Sequence, residues 1–210
     1  MKYIIHTCRA RLWYVNKFLK PSLTKQGIRE NDIIIWLDKN NLGNLRSFLN
    51  SLIILPNEDY IWHLQDDIII CSDFKERTEK YDNQIICGYY SPFDKEIFGE
   101  VHSEDAWYSF QCIKIPTSIQ KDFLKWYEQT GSIEHQDWVA ANKFDDSFFH
   151  EYLKECYNDK ILNLNPNLID NVDYLLGGSL INKRNKIIKS KYFYEQEKID
   201  ELRAKILRKG

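Results

Sequence analysis

No apolar run in the 210 residues approaches the ~20 residues that span a bilayer. The opening Met1-Lys2-Tyr3-Ile4-Ile5-His6 turns polar too soon to act as a targeting segment, so a cytoplasmic location is expected. Cysteine is sparse: Cys8, Cys71, Cys87, Cys112 and Cys156 are odd in number and widely spaced, without a C-x-x-C pair or a His/Cys cluster at zinc-finger spacing. That excludes a disulfide framework and a structural zinc knot, and leaves small, reduced, mostly buried side chains. No charge sign dominates. With 29 basic and 31 acidic residues the net charge is -2, so a polyanionic partner would have to be held by a local patch. The Gly-rich phosphate loop of P-loop enzymes and the G-x-G-x-x-G fingerprint are both missing, as are internal repeats and long linkers.

What is there is 43% hydrophobic and 14% aromatic residues, enough to build one α/β core in a chain too short for two catalytic domains. Residues 3–8 read as a strand, followed by a basic turn and a helix with Trp13, Val15, Phe18 and Leu19 at helical spacing, punctuated by Pro21 and Gly27. The nearly unbroken apolar run 32–38 predicts a buried parallel strand, and Leu45, Phe48, Leu49 and Leu52 predict a helix. Residues 60–64 form a third strand, which Gln65-Asp66-Asp67 interrupts before 68–71 resumes it. A helix capped by Asp73 and a strand over 84–90 complete a β-α-β-α-β-α-β order, which predicts a mainly parallel sheet with helices on both faces. Further on, 107–115 reads as a strand and 117–129 as a helix with Pro116 at its first position and Gly131 ending it. Residues 145–156 read as a helix, 161–164 as a short strand and 192–208 as a weakly amphipathic helix. Residues 1–191 are thus expected to form the domain, with the C-terminal helix in 192–210 packed on it or extending from it.

Two adjacent acids amid β-branched residues need an explanation, because carboxylates at the end of an apolar strand lose solvation. A divalent cation is the simplest partner, and hard oxygen ligands suit magnesium or manganese, which take remaining sites from water and substrate phosphates. The alternative is that Asp66 and Asp67 are solvated turn residues.

The segment from Tyr60 to Phe74 resembles the metal-binding turn of small GT-A glycosyltransferases, in which a hydrophobic strand delivers a D-x-D or x-D-D element and an aromatic residue follows. Ile5-His6-Thr7-Cys8-Arg9-Ala10-Arg11 resembles that family's first strand and nucleotide-binding turn, and Leu37-Asp38 the acidic end of its second strand. The stretch from Pro166 through Gly177-Gly178-Ser179-Leu180 resembles the late segment near the metal. The resemblance implies an α/β, GT-A-like (Rossmann-like) mixed sheet and a nucleotide-sugar donor, UDP-linked, handled with Mn2+ or Mg2+. It implies that Thr7 and Arg9 or Arg11 approach the nucleotide, that Asp38 lies near base or ribose, and that Asp67 ligates the metal with Asp66 beside it. Gln65 replaces the first acid of a strict D-x-D, and its amide suits a ribose hydroxyl better than a cation. Asn171 stands where many relatives have a metal-binding histidine, with Asp170 or Asp173 as substitutes. As ordinary alternatives, Arg9 and Arg11 are surface cations and Asp38 a turn former.

Lys143-Phe144-Asp145-Asp146-Ser147-Phe148-Phe149 resembles the family's acceptor-side helix start. A carboxylate there, Asp146 ahead of Asp145, would take the acceptor hydroxyl's proton or orient the acceptor; the alternative is helix capping. The basic run Lys183, Arg184, Lys186, Lys189 and Lys191 is either a solvated surface or a contact to the leaving diphosphate or an anionic acceptor, with Lys183 first for the diphosphate. The expected activity is sugar transfer to a hydroxyl of a glycan, a protein or a modified nucleic-acid base. The rivals are a nucleotidyltransferase or phosphotransferase, and a non-catalytic sugar- or nucleic-acid-binding module of the same fold.

Overall fold

The computed structural model describes residues 1–53, 58–81, 84–89, 99–102, 110–131, 145–157, 160–177 and 193–208. The chain begins with β1 (Lys2–Cys8), then a helical run α1 (12–25), β2 (Ile33–Asp38), α2 (Asn44–Ile53), β3 (Tyr60–Gln65), β4 (Ile68–Ile70), α3 (Phe74–Thr78) and β5 (Ile85–Cys87). It continues with β6 (Gly99–His102), β7 (Cys112–Pro116), α4 (Thr117–Trp126), α5 (Asp145–Cys156), β8 (Lys160–Asn163), β9 (Ile169–Asn171) and α6 (Gln196–Leu207).

The main sheet has the order β2-β1-β3-β7-β5-β8-β6. β2, β1, β3, β5 and β8 run in one direction while β7 and β6 oppose them, which makes it mixed with most strands parallel. Alternation sends successive side chains to opposite faces. On one face Tyr3, Ile5, Trp62, Leu64 and Ile86 pack with Tyr14, Leu19 and Leu23 of α1 and with Ile199 and Leu202 of α6. On the other, Ile85, Ile113, Ile115 and Ile161 pack with Phe48 and Leu52 of α2, Phe123 of α4 and Phe149 and Leu153 of α5. The C-terminal helix therefore lies on the first-face core, where the Glu195 carboxylate also accepts from the Ser72 N–H at 2.9 Å. Among the described residues no helix is long and apolar enough to cross a membrane.

Three local departures from the sequence expectation have physical causes. Pro21 does not end the first helix, which runs on to Lys25. A π turn over Val15–Leu19, with the Lys20 N–H bonded to Val15 O, widens the helix just where the proline ring would crowd the preceding turn. Pro116 closes β7 instead of opening α4: its ψ of 139° is extended, and Thr117 is the first helical residue. β4 does not simply resume β3. It leaves the main sheet and pairs antiparallel with β9, Ile68 opposite Asn171 and Ile70 opposite Ile169. The strand expected over 107–115 is present only from Cys112: Phe110 and Gln111 form a turn, and residues 107–109 fall outside the described residues.

Candidate functional site

The acid pair lies where the chain leaves the main sheet, between β3 and β4, beside the carboxyl end of β1. Ligands collect outside the carboxyl ends of strands in open α/β sheets, because loops and helix starts converge there. Asp66 and Asp67 are buried, 8% and 9% exposed, so neither is a solvated turn residue. Arg11, 6% exposed at the start of α1, sits between them. Its Nη1 is 3.1 Å from Asp66 Oδ1 and 2.7 Å from Asp67 Oδ2.

The two carboxylates are held differently. Asp66 Oδ1 accepts from Arg11, and Oδ2 accepts the backbone N–H of Cys8 at 3.2 Å. Asp66 thereby ties the end of β1 to the end of β3. Asp67 has only Oδ2 on the guanidinium; its Oδ1 is buried without a hydrogen-bond partner among the described residues. Such an orphan acceptor carries its full desolvation cost until something supplies a positive partner. Burial, then the charge of Asp67, pushes the Asp66 carboxyl up to about 6 against the opposing pull of Arg11 and the Thr7 hydroxyl. Burial works against the Arg11 charge, but the two carboxylates outweigh it and hold its pKa above the ordinary value.

The late segment closes on the same point. The Val172 N–H donates to Asp67 O at 2.7 Å, and Ile68 pairs with Asn171. Asn171 Oδ1 accepts the Asp173 N–H at 3.0 Å, and the Asn171 N–H donates to Asp170 Oδ1 at 2.9 Å. Burial and the nearby Asp67 raise the Asp173 carboxyl. Thr7 is buried and donates to Cys8 O at 3.3 Å, while Arg9 is exposed on the turn after β1. Asp38, at the end of β2, accepts the N–H groups of Leu42 and Gly43 at 3.0 and 3.1 Å and so shapes the loop in front of α2. Gln65 closes β3, half-buried, opposite His6. The structure thus gathers Thr7, Arg11, Asp66, Asp67 and the Asn171 segment around one turn, with Gln65 adjoining them. Asp145 and Asp146 open α5, whose first side chains, like Lys183 and the whole basic run, lie outside the described residues.

Two features were not read from the sequence. Tyr14 donates its hydroxyl to Ile68 O at 2.8 Å, pinning α1 to β4 just after the acids. Behind the site, His6 Nε2 and His63 Nδ1 are 3.0 Å apart, and His63 Nε2 is 3.3 Å from Gln120 Oε1. Gln120 Nε2 donates to Ile115 O at 2.8 Å. That anchor leaves Gln120 Oε1 as acceptor, so His63 carries its proton on Nε2 and accepts from His6 on Nδ1. Neither feature has a local sequence signal, since each pair joins residues more than 50 positions apart.

The residues present fit a hard divalent cation: Asp67 Oδ1 is an unpaired anionic oxygen, and Asn171 and Asp173 add oxygens from the adjoining segment. Among the described residues no group of three or more His, Cys, Asp or Glu forms a metal cage. Magnesium and manganese bound through one or two carboxylates and substrate phosphates need none.

No family model and no curated protein matches the sequence. Among solved structures, S. aureus TarS (residues 1–349) superposes with a TM-score of 0.51 at 11% identity, over 84% of this chain and 62% of that one. The glycosyltransferase GlyE of Streptococcus pneumoniae TIGR4 matches with a TM-score of 0.46 at 13% identity, over 78% of this chain and 45% of its own. The chain therefore spans less than two-thirds of either. The inositol-1-phosphate CTP transferase of T. maritima matches with a TM-score of 0.49 at 11% identity, over 98% of this chain and 95% of that one. The fold is GT-A-like, a mixed, mainly parallel sheet with helices on both faces.

Proposed function

We propose that this protein is a glycosyltransferase that moves a sugar from a UDP-sugar to an acceptor hydroxyl with the help of Mn2+ or Mg2+. The observation that carries the reading is Asp67: a buried carboxylate on the site side of a GT-A-like sheet, with one oxygen committed to Arg11 and the other without a partner among the described residues. Asp67, with Asn171 or Asp173, would hold the ion, and when bound it offsets the charge of the diphosphate as the sugar leaves. Thr7 and Arg9 approach the nucleotide from the turn after β1, Gln65 bonds a ribose hydroxyl, and Asp38 orders the loop that borders base or ribose. Asp66 keeps that turn in place through the Cys8 N–H. Asp146, with Asp145 beside it, takes the proton of the acceptor hydroxyl or orients it, and Lys183 adds a cation to the leaving diphosphate. Acceptors of matching chemistry are a glycan, a protein hydroxyl or a modified nucleic-acid base.

The experiment is UDP binding and UDP-sugar hydrolysis, with and without manganese, for the wild type and Asp67→Ala. Manganese-dependent binding in the wild type that Asp67→Ala abolishes supports the reading. Equal, metal-independent binding in both refutes it, and pyrophosphate release from a nucleoside triphosphate plus a sugar phosphate would replace it with nucleotidyl transfer.

A further inference from the structure

The sequence presents Arg11 as a nucleotide contact or a surface cation, whereas the structure buries it between the two acids. Together Asp66, Asp67 and Arg11 carry one net negative charge where the acids alone would carry two. The guanidinium occupies Asp66 Oδ1 and Asp67 Oδ2, the Cys8 N–H occupies Asp66 Oδ2, and Asp67 Oδ1 is what remains. Arg11 is fixed there by the backbone as well, since its carbonyl accepts the N–H groups of Tyr14 and Val15 at 2.9 and 3.2 Å as α1 begins.

We infer that Arg11 is a built-in countercation of the acid turn. It sets the charge that the acid pair offers to a divalent ion at one instead of two and leaves a single oxygen of that pair to bind it. The turn by itself is then a poor metal site, and oxygens from the substrate's phosphates must complete it. Arg11 is in this sense a positioning residue: it holds Asp67 in one orientation and keeps the metal dependent on the nucleotide. The inference rests on the metal reading of Asp67 given above and adds that the metal is not retained without substrate.

The test uses manganese alone, with no nucleotide present, so that it is separate from the transferase assay. Free Mn2+ is titrated by electron paramagnetic resonance, and thermal melting is followed in parallel, for the wild type, Arg11→Lys, Arg11→Met and the double variant Arg11→Met/Asp66→Asn. Doubling the net charge that faces a dication strengthens its attraction, so Arg11→Met is expected to bind Mn2+ at least about tenfold more tightly than the wild type. Its melting temperature should rise with added manganese while that of the wild type barely moves. Arg11→Lys keeps the cation and should behave as the wild type. The double variant restores one net charge and should return to wild-type affinity. Equal or weaker Mn2+ binding by folded Arg11→Met overturns the inference, and so does an Arg11→Met chain that stays unfolded at saturating manganese, because the ion should then replace the lost guanidinium. Tightening in Arg11→Met without UDP binding in the wild type would leave the inference standing and sink the transferase reading alone.

Discussion

The buried pair His6–His63 should make the protein lose stability in mild acid, and by an amount that can be worked out. Burial lowers the His6 pKa from 6.5 to about 4 and lowers that of His63 well below its ordinary value, with the nearby His6 adding to the effect and the Gln120 bond opposing it. In the unfolded chain both rings take up protons near pH 6.5, whereas in the folded protein they remain neutral until far lower. The unfolded state therefore binds more protons in this window, so their contribution is fully present above about pH 6.5 and is lost as pH falls toward about 4. At about 1.4 kcal/mol per pH unit, acidification from about pH 7 to about pH 4.5 removes about 2–3 kcal/mol through His6, and His63 adds a loss of the same sign. That is a sizeable part of the whole stability of many domains, about 5–15 kcal/mol. Asp66, raised to about 6, works in the opposite sense, gaining stability as pH falls through that value, so a control that keeps Asp66 is needed. His63→Phe supplies it, removing one titrating ring while preserving aromatic volume beside Phe48, whose ring centroid lies 5.1 Å away. Urea unfolding followed by tryptophan fluorescence across this pH range should show the variant losing less stability than the wild type on acidification, whatever its stability at neutral pH. Parallel losses in the two proteins would refute the buried neutral pair.

Two further outcomes test the packing that sets the site. A Cβ added at Gly88 would lie 2.8 Å from both Cys112 Sγ and Leu168 Cδ1, which are fully buried, so Gly88→Ala should cost about 1–3 kcal/mol in a urea titration; an unchanged midpoint would mean that β7 and the segment before β9 are loosely joined. Tyr14→Phe removes the hydroxyl that satisfies Ile68 O and should cost about 1–3 kcal/mol while leaving the ring packed on Phe18, 5.6 Å away. A loss below about 0.5 kcal/mol would show that this bond does not tie α1 to β4.

The parts of the fold legible in the sequence are those with a strong local period. The apolar run of β2 and the 145–156 helix emerged almost with their final limits, because a run of β-branched residues and a helix with Phe148, Phe149, Tyr152 and Leu153 on one side leave patterns that need no tertiary information; β2 is nevertheless an edge strand with only Ile33 buried, not the covered one its apolar run predicts. β6 and β9 escaped notice, being four and three residues long and too short to display a period. Pro21 misled for the opposite reason: its rule is local and strong, but a π turn one step earlier removes the conflict on which the rule depends.

The acid pair was legible as a pair, because two carboxylates between Leu64 and Ile68 are costly without a partner. Their division of labour was not. Nothing in Gln65-Asp66-Asp67 distinguishes the two acids; the distinction comes from Cys8 and Arg11, which lie 58 and 55 residues earlier and arrive only when β1 and β3 pair in parallel. Asp66 then has both oxygens occupied by the chain's own donors and becomes the brace between two strand ends. Asp67, one residue further, faces the incoming β9 segment with one oxygen still unmatched. A one-residue exchange of these environments would put the free carboxylate against the Cys8 backbone and leave the late segment facing a saturated one. The parallel register of β1 on β3, His6 opposite Gln65, is therefore what makes Asp67 the acid with an unmatched oxygen among the described residues.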